Sequence, residues 1–77
     1  MTTEERKQMC EKAVRDAGYT LLYSTHDDAA DTTMAFSAED RGRATYGHPA
    51  CEVYIQRGWY TCRAAGRATV SHRIATQ

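Results

Sequence analysis

Hydrophobic and polar positions alternate most regularly from residue 51 to residue 74, CEVYIQRGWYTCRAAGRATVSHRI. Its first six residues, CEVYIQ, place apolar side chains at every second position, which is typical of a β-strand with one buried face. Arg57 and Gly58 follow, and a glycine there provides the positive φ that two-residue hairpin turns require. We therefore predict a hairpin that places Tyr54 opposite Thr61. A slip of one residue would mix the two faces, which favours this register.

The same pattern predicts a second hairpin. Ala64-Ala65-Gly66 is a three-residue loop ending in glycine, which suits a type I turn followed by a left-handed residue. This loop places Arg67 opposite Arg63 and Val70 opposite Tyr60. A two-residue loop would instead bury Arg67. The apolar face of the meander then contains Cys51, Val53, Ile55, Tyr60, Cys62, Ala64, Ala68, Val70, His72 and Ile74.

The opposite face of this meander carries the most unusual side chains of the chain. Tyr54 and Trp59 are large aromatics at polar positions of the pattern, and Arg63, Arg67 and Arg73 share their face. One interpretation is structural: the arginine stems cover the rings through cation–π contacts, or a helix packs on this face. The other is a binding surface, because exposed Trp, Tyr and Arg are enriched at interfaces.

The N-terminal region predicts one helix, over residues 3–17, TEERKQMCEKAVRDA, with a narrow apolar stripe. Thr2 or Thr3 can cap its first turn, and Glu5 completes a capping box with Thr2. Gly18 is expected to end the helix as the C′ residue.

Three shorter strands are predicted between this helix and residue 51, over residues 19–25, 32–38 and 43–47. In the first, Leu21 and Tyr23 share one face and Leu22 lies on the other. In the second and third, the positions expected to share a face are Met34, Phe36 and Ala38, and Ala44 and Tyr46. The fold predicted from these elements is α+β, with one N-terminal helix packed on an antiparallel sheet of four to five strands.

Composition limits the size and the class of the protein. The chain has 77 residues, of which 42% are hydrophobic and 26% charged, as expected for a single globular domain spanning residues 1–77. No apolar stretch approaches the ~20 residues of a membrane-spanning helix, and the N-terminus lacks the apolar segment of a signal peptide. We therefore expect a cytoplasmic protein without membrane contacts. Its three cysteines should be reduced there.

Charge is balanced overall but unevenly distributed. Residues 1–40 carry nine acids against four bases, a net charge of −5, whereas residues 41–77 carry six arginines against Glu52 alone, a net charge of +5. Asymmetry of this kind indicates a charged partner, or two halves that pack together and neutralise each other.

Two groups of residues contain side chains that can bind metal ions. His48, Cys51, Cys62 and His72 lack the spacing of a zinc finger or ribbon, so we expect the cysteines to belong to the core. The acidic segment that begins at His26 lacks the glycine and the number of ligands of a calcium loop, so we expect a solvated turn. The sequence predicts no metal site and no cofactor.

Catalytic motifs are also missing from the sequence. It contains no glycine-rich phosphate loop and no supported Ser/His/Asp arrangement, and a chain this short rarely encloses a ligand pocket of ~300 Å³. We therefore expect a protein that is not an enzyme. Nucleic-acid binding is an alternative, because an Arg/aromatic sheet face can stack bases and contact phosphates. A net charge of zero disfavours it.

A motif-free chain of this size, with one helix, an antiparallel sheet and polarised charge, resembles the small inhibitors encoded by phages, the anti-CRISPR proteins among them. The resemblance covers size and architecture. It implies a non-enzymatic inhibitor in the host cytoplasm that blocks a bacterial protein complex, such as a CRISPR effector, by occupying its nucleic-acid-binding site. The residues predicted to bind the partner are Tyr54, Trp59, Arg63, Arg67, Arg73, Asp27, Asp28 and Asp31.

Overall fold

One helix and five antiparallel strands make up residues 1–37 and 50–74, which are the residues that this computed structural model describes. They are α1 (Thr3–Asp16), β1 (Leu21–Asp27), β2 (Thr32–Ser37), β3 (Cys51–Gln56), β4 (Trp59–Ala64) and β5 (Val70–Arg73). The strands form one sheet in the order β1-β2-β3-β4-β5. The predicted α+β fold is confirmed. The strand predicted at residues 43–47 lies outside the described residues, as do Ala38 and His48.

Local sequence signals fix both ends of α1. The Thr2 hydroxyl accepts a hydrogen bond from the Glu5 amide at 3.1 Å, and the Glu5 carboxylate accepts one from the Thr2 amide at 2.8 Å. This is the predicted capping box, which satisfies two amides that the helix itself leaves unpaired. Gly18, with a φ of 91°, takes the left-handed conformation just after the helix. In the described part of the chain, no helix is long and apolar enough to cross a membrane.

The helix packs on one face of the sheet, over β1, β2 and β3. Its small apolar stripe allows a close approach, and Cys10 and Val14 are completely buried. The Cys10 thiol lies 3.8 Å from the carbonyl oxygen of Thr33 on β2. The buried apolar cluster consists of Cys10, Val14, Ala35, Cys51, Val53 and Ile55.

The hairpin between β3 and β4 has the predicted turn and the predicted register. Arg57 and Gly58 both have positive φ, 50° and 82°, as a type I′ turn requires. Tyr54 lies opposite Thr61, and Gln56 lies opposite Trp59. The apolar side of this hairpin faces the helix.

The predicted pairing of β4 with β5 is wrong by two residues. Val70 lies opposite Cys62, not opposite Tyr60. Arg67 is therefore not opposite Arg63 but lies exposed in the turn, where its amide donates to the carbonyl of Ala64 at 3.1 Å. A shift of two residues keeps every side chain on its face, so the alternation could not distinguish the two registers.

The predicted faces of β1 are also wrong, because a β-bulge interrupts the strand. The register shifts between Leu21 and Tyr23, with Leu21 opposite Ser37 and Tyr23 opposite Phe36. Leu22 is the extra residue and is 59% exposed. Leu21 packs against the core, whereas Tyr23 contacts Phe36 on the other side of the sheet. A bulge separates neighbours that strict alternation would place together.

The helix covers the more polar side of β2. Thr33, Ala35 and Ser37 are buried beneath it, and Met34 and Phe36 point to the other side, where they share a face as predicted. The buried hydroxyls have partners: Thr33 Oγ1 lies 2.8 Å from His26 Nδ1, and Ser37 Oγ accepts from the Cys51 amide at 2.7 Å. Small, hydrogen-bonded side chains suit a helix whose own stripe is small.

Candidate functional site: the outer sheet face

The sheet face opposite α1, here called the outer face, is not covered by the helix. Its side chains form three rows that run across the strands. From one end of the strands to the other, these rows are Tyr23, Phe36, Glu52 and Arg63; Thr25, Met34, Tyr54, Thr61 and Ser71; and Asp27, Thr32, Gln56, Trp59 and Arg73. The middle row is uncharged, and the four charged side chains lie in the two rows that flank it.

Four of the five predicted aromatic and arginine residues lie on this face, and the predicted Asp27 lies there too. The Arg63 guanidinium is 5.9 Å from the centre of the Tyr54 ring, and the Arg73 guanidinium is 5.4 Å from the centre of the Trp59 ring. These are cation–π distances, so the arginines cover two of the rings, as the structural interpretation expected. Trp59 is nevertheless 45% exposed. Arg67, the fifth predicted residue of this group, is in the β4–β5 turn.

The aromatic surface extends further than the sequence predicted. Tyr23 and Phe36 lie with their ring centres 5.0 Å apart on β1 and β2, and Met34 lies opposite Tyr54 on β3. Tyr23 is 52% exposed. The alternation of Met34 and Phe36 was a visible signal, but the pairing of β2 with β3 was needed to assign them to this face.

The predicted acidic residues cluster at the β1–β2 turn, and each carboxylate has a contact within the turn, with β1 or with α1. Asp27 accepts hydrogen bonds from two amides of the turn, the shorter at 3.0 Å. Asp28 lies 2.9 Å from Nε2 of His26. Asp31 forms an ion pair with Arg6 of α1 at 2.9 Å, and its carbonyl accepts from the Arg57 amide at 3.4 Å. These carboxylates therefore help to hold this end of the sheet together.

Charge is polarised across the sheet. Residues 1–37, which form α1, β1 and β2, carry seven acids and four bases, whereas residues 50–74, which form β3, β4 and β5, carry Glu52 and four arginines. On the outer face itself, Asp27 lies on β1 while Arg63 and Arg73 lie on β4 and β5. On this face a partner would therefore meet Asp27 at the β1 edge, Glu52 on the central strand and the two arginines toward the β5 edge.

The cysteines lie on the opposite side of the sheet. Burial, with a smaller contribution from Glu11, raises the pKa of Cys10 to about 12, and burial together with Cys62 raises that of Cys51 to about 11. Both thiols therefore stay protonated near neutral pH and are poor nucleophiles. Their burial agrees with the predicted core role.

His26 and His72 are the two described histidines of the groups that were weighed as metal sites. Within residues 1–37 and 50–74, no three His, Cys, Asp or Glu side chains form a group that could hold a metal ion. His72 stacks on Tyr60 with ring centres 4.9 Å apart. His26 bridges Thr33 and Asp28.

Comparison with known proteins gives no relative: no protein family, curated protein or solved structure matches the chain.

Proposed function

We propose that the outer face is a docking surface for a protein partner and that the protein acts as a non-enzymatic inhibitor. The observation that carries this proposal is the sheet face that α1 leaves uncovered, with exposed Tyr23 and Trp59 and two arginines that lie over aromatic rings. Aromatic and arginine side chains are the types that dominate binding energy at protein interfaces. Stacking on the rings limits the conformations of Arg63 and Arg73, which lowers the entropy lost on binding.

The geometry favours a protein over a nucleic acid as the partner. The guanidinium groups of Arg63 and Arg73 lie over Tyr54 and Trp59, so one side of each ring is already occupied where a base would have to stack. Asp27 and Glu52 on the same face would repel phosphates. The described residues carry eight acids and eight Lys or Arg residues, whereas dedicated nucleic-acid binders are strongly basic.

The class of partner is proposed from size and architecture. A small helix-and-sheet domain with one exposed, charge-polarised face suits a protein that occupies a site on a larger complex. By its resemblance to phage anti-CRISPR proteins, we propose a bacterial nucleic-acid-handling complex, such as a CRISPR effector, in the cytoplasm of the host. The acidic end at the β1–β2 turn would then face a basic nucleic-acid channel, and blocking that channel would inhibit the complex.

Charge reversal on the outer face tests this proposal. The variant Arg63→Glu/Arg73→Glu should weaken partner binding by roughly 10- to 100-fold, because both side chains lie within the docking surface. Lys12→Glu/Arg15→Glu changes the net charge equally on the exposed side of α1 and is the matched control. Binding is measured by capture from bacterial lysate with mass spectrometry, followed by titration of the purified partner.

Inhibition is tested separately with purified CRISPR effector complexes. DNA cleavage should fall when the wild-type protein is added, and the helix control should inhibit equally. Equal partner binding by the outer-face variant would overturn the docking surface. Salt-sensitive binding to free oligonucleotides, lost in Arg63→Glu/Arg73→Glu, would instead assign the face to nucleic acid.

A further inference from the structure

Strand β5 (Val70–Arg73) forms one end of the described sheet, and all four of its residues are exposed. Within residues 1–37 and 50–74, the strand that pairs with it is β4. An end strand presents backbone amides and carbonyls on its outer side, and these can pair with an added chain.

One hydrogen bond determines which residues present these groups. The Ile74 amide donates to the Gly58 carbonyl at 2.9 Å, and bonded and non-bonded pairs alternate along antiparallel strands. His72 and Val70 therefore direct their backbone groups toward β4. Ser71 and Arg73 direct theirs away from β4.

The side chains along this edge define what an added strand must contain. On the helix side, Val70 is 52% exposed because α1 packs over β1, β2 and β3 and does not cover it. On the outer face, Arg73 lies at one end of β5. Arg67 lies exposed in the turn before the other end, near enough to Cys51 to act on its pKa. Apolar residues would therefore suit the helix side of an added strand, and acidic residues would suit its outer side.

We propose that β5 accepts an extended segment of a partner protein as a sixth strand, with apolar and acidic residues alternating along that segment. This proposal goes beyond the docking surface, because it uses the backbone of the edge. In an antiparallel pairing of β5 with β5 of a second copy, Arg73 would come opposite Ser71 and gain no acidic partner, which favours an acidic strand over a second copy. The other edge of the sheet, β1, contains a bulge and Asp27, and it would repel an acidic strand.

The test uses the full chain and two synthetic peptides. The probe is acetylated and amidated Thr-Val-Glu-Val-Glu-Val-Thr, and its matched control has Lys in place of Glu. At ~1 mM peptide, the range of weak binding, hydrogen exchange measured by NMR should slow by at least about 10-fold at the Ser71 and Arg73 amides. It should stay unchanged at Val70 and His72, whose amides already bond to β4.

Two blocking changes complete the test. Ser71→Pro removes the outward amide, whereas Ser71→Ala retains it, and both lose the 3.2 Å contact between the hydroxyls of Thr61 and Ser71. Ser71→Pro should abolish peptide binding and Ser71→Ala should preserve it. N-methylation of both peptide glutamates should also abolish binding, and this comparison does not depend on how the proline variant folds.

Several results would overturn the strand-addition proposal. They are the absence of protection, equal binding of the Lys peptide, binding that survives N-methylation, and protection of Ser71 and Arg73 by the protein's own copies without peptide. Tyr23→Ala, on the far strand of the outer face, should leave peptide binding unchanged. It should weaken docking to a partner protein, so the two proposals can fail separately.

Discussion

At the scale of the residue, Arg57 adopts a backbone conformation that an L-amino acid rarely takes, with a φ of 50°. Its side chain is exposed, so the left-handed conformation brings a cost that packing does not offset. Asparagine tolerates this region, and Asn-Gly is a preferred type I′ pair. Arg57→Asn should therefore stabilise the protein by about 1 kcal/mol, which raises Tm by roughly 4–8 °C in a domain of this size.

Thermal unfolding followed by circular dichroism measures this gain. Arg67→Asn removes another exposed arginine, one that does not have positive φ, and it should change Tm little. If Tm rose equally in both variants, the gain in stability would come from the loss of a positive charge and not from the turn geometry.

The buried thiols make the fold sensitive to alkaline pH. The pKa of Cys10 is raised from 9.0 to about 12 and that of Cys51 to about 11, with burial as the largest cause in each case. A raised pKa in the folded state means that the stabilisation is fully present below pH ~9 and is lost as the pH rises through 11 to 12. The urea midpoint should therefore fall as the pH is raised above 9.

Cys10→Ala and Cys51→Ala isolate this effect. Each variant is expected to be less stable at neutral pH because burial is lost, but the decline above pH 9 should become shallower. An unchanged slope in the double variant would assign the alkaline loss to other groups. Tyr60 is one such group, since burial, followed by Cys62, raises its pKa to about 12.

At the scale of the element, the helix stabilises only the part of the sheet that it covers. Val53 on β3 is completely buried under α1, whereas Val70 on β5 is 52% exposed. Val53→Ala should therefore destabilise the protein by about 2 kcal/mol, while Val70→Ala should cost less than ~0.5 kcal/mol. Both changes delete the same atoms from a strand, so the difference measures burial beneath the helix.

Urea denaturation of the two variants measures this difference. Similar losses at both positions would mean that the surroundings of Val70 exclude water as effectively as α1 does, which would contradict the exposed edge on which strand addition depends.

Turn chemistry decided how well each hairpin could be predicted. In the β3–β4 hairpin, Gly58 fixed the loop at two residues and the alternation fixed the faces, so the register could be derived from the sequence. In the β4–β5 hairpin, the glycine position favoured a loop at residues 64–66, but the observed connection spans residues 65–69 and preserves the same faces. The alternation therefore could not separate the two registers. The structure places Val70 opposite Cys62.

The position of the helix could not be predicted for a different reason. Hydrophobicity alone would place Met34 and Phe36 in the core, but the strand pairing puts Thr33 and Ala35 on the side of Val53. Hydrogen bonds from neighbouring strands make this buried polar side acceptable, and those partners are distant in sequence. The same pairing adds Met34 and Phe36 to the outer face, which is why the sequence identified only its β3, β4 and β5 portion.

At the scale of the whole molecule, the charges form a dipole across the sheet. The chain has a net charge of zero and a pI of about 6.8, so there is little net repulsion between copies at neutral pH. The acidic region at β1 and β2 of one copy can then attract the basic region at β4 and β5 of another. We expect weak association at low ionic strength that disperses at 0.15 M salt, where the Debye length is about 8 Å.

Static light scattering at pH 7 in low and physiological salt measures this association. Lys12→Glu/Arg15→Glu supplies a net charge of −4 without altering the outer face, and it should abolish the association through net repulsion. Association that grows with salt would instead indicate apolar contacts between copies.

The bulge at Leu22 is a position where the gene can lose one codon without disturbing the alternation of β1. Residues before and after Leu22 already occupy correct opposite faces, Leu21 toward the helix and Tyr23 away from it. If codon 22 were deleted, Leu21 and Tyr23 would become neighbours in an uninterrupted strand. No side chain would then move to the wrong face of the sheet. Removal of a codon from the regular part of β1 would instead invert every side chain on one side of the cut. Leu22 is thus a point where a single-codon deletion can be neutral.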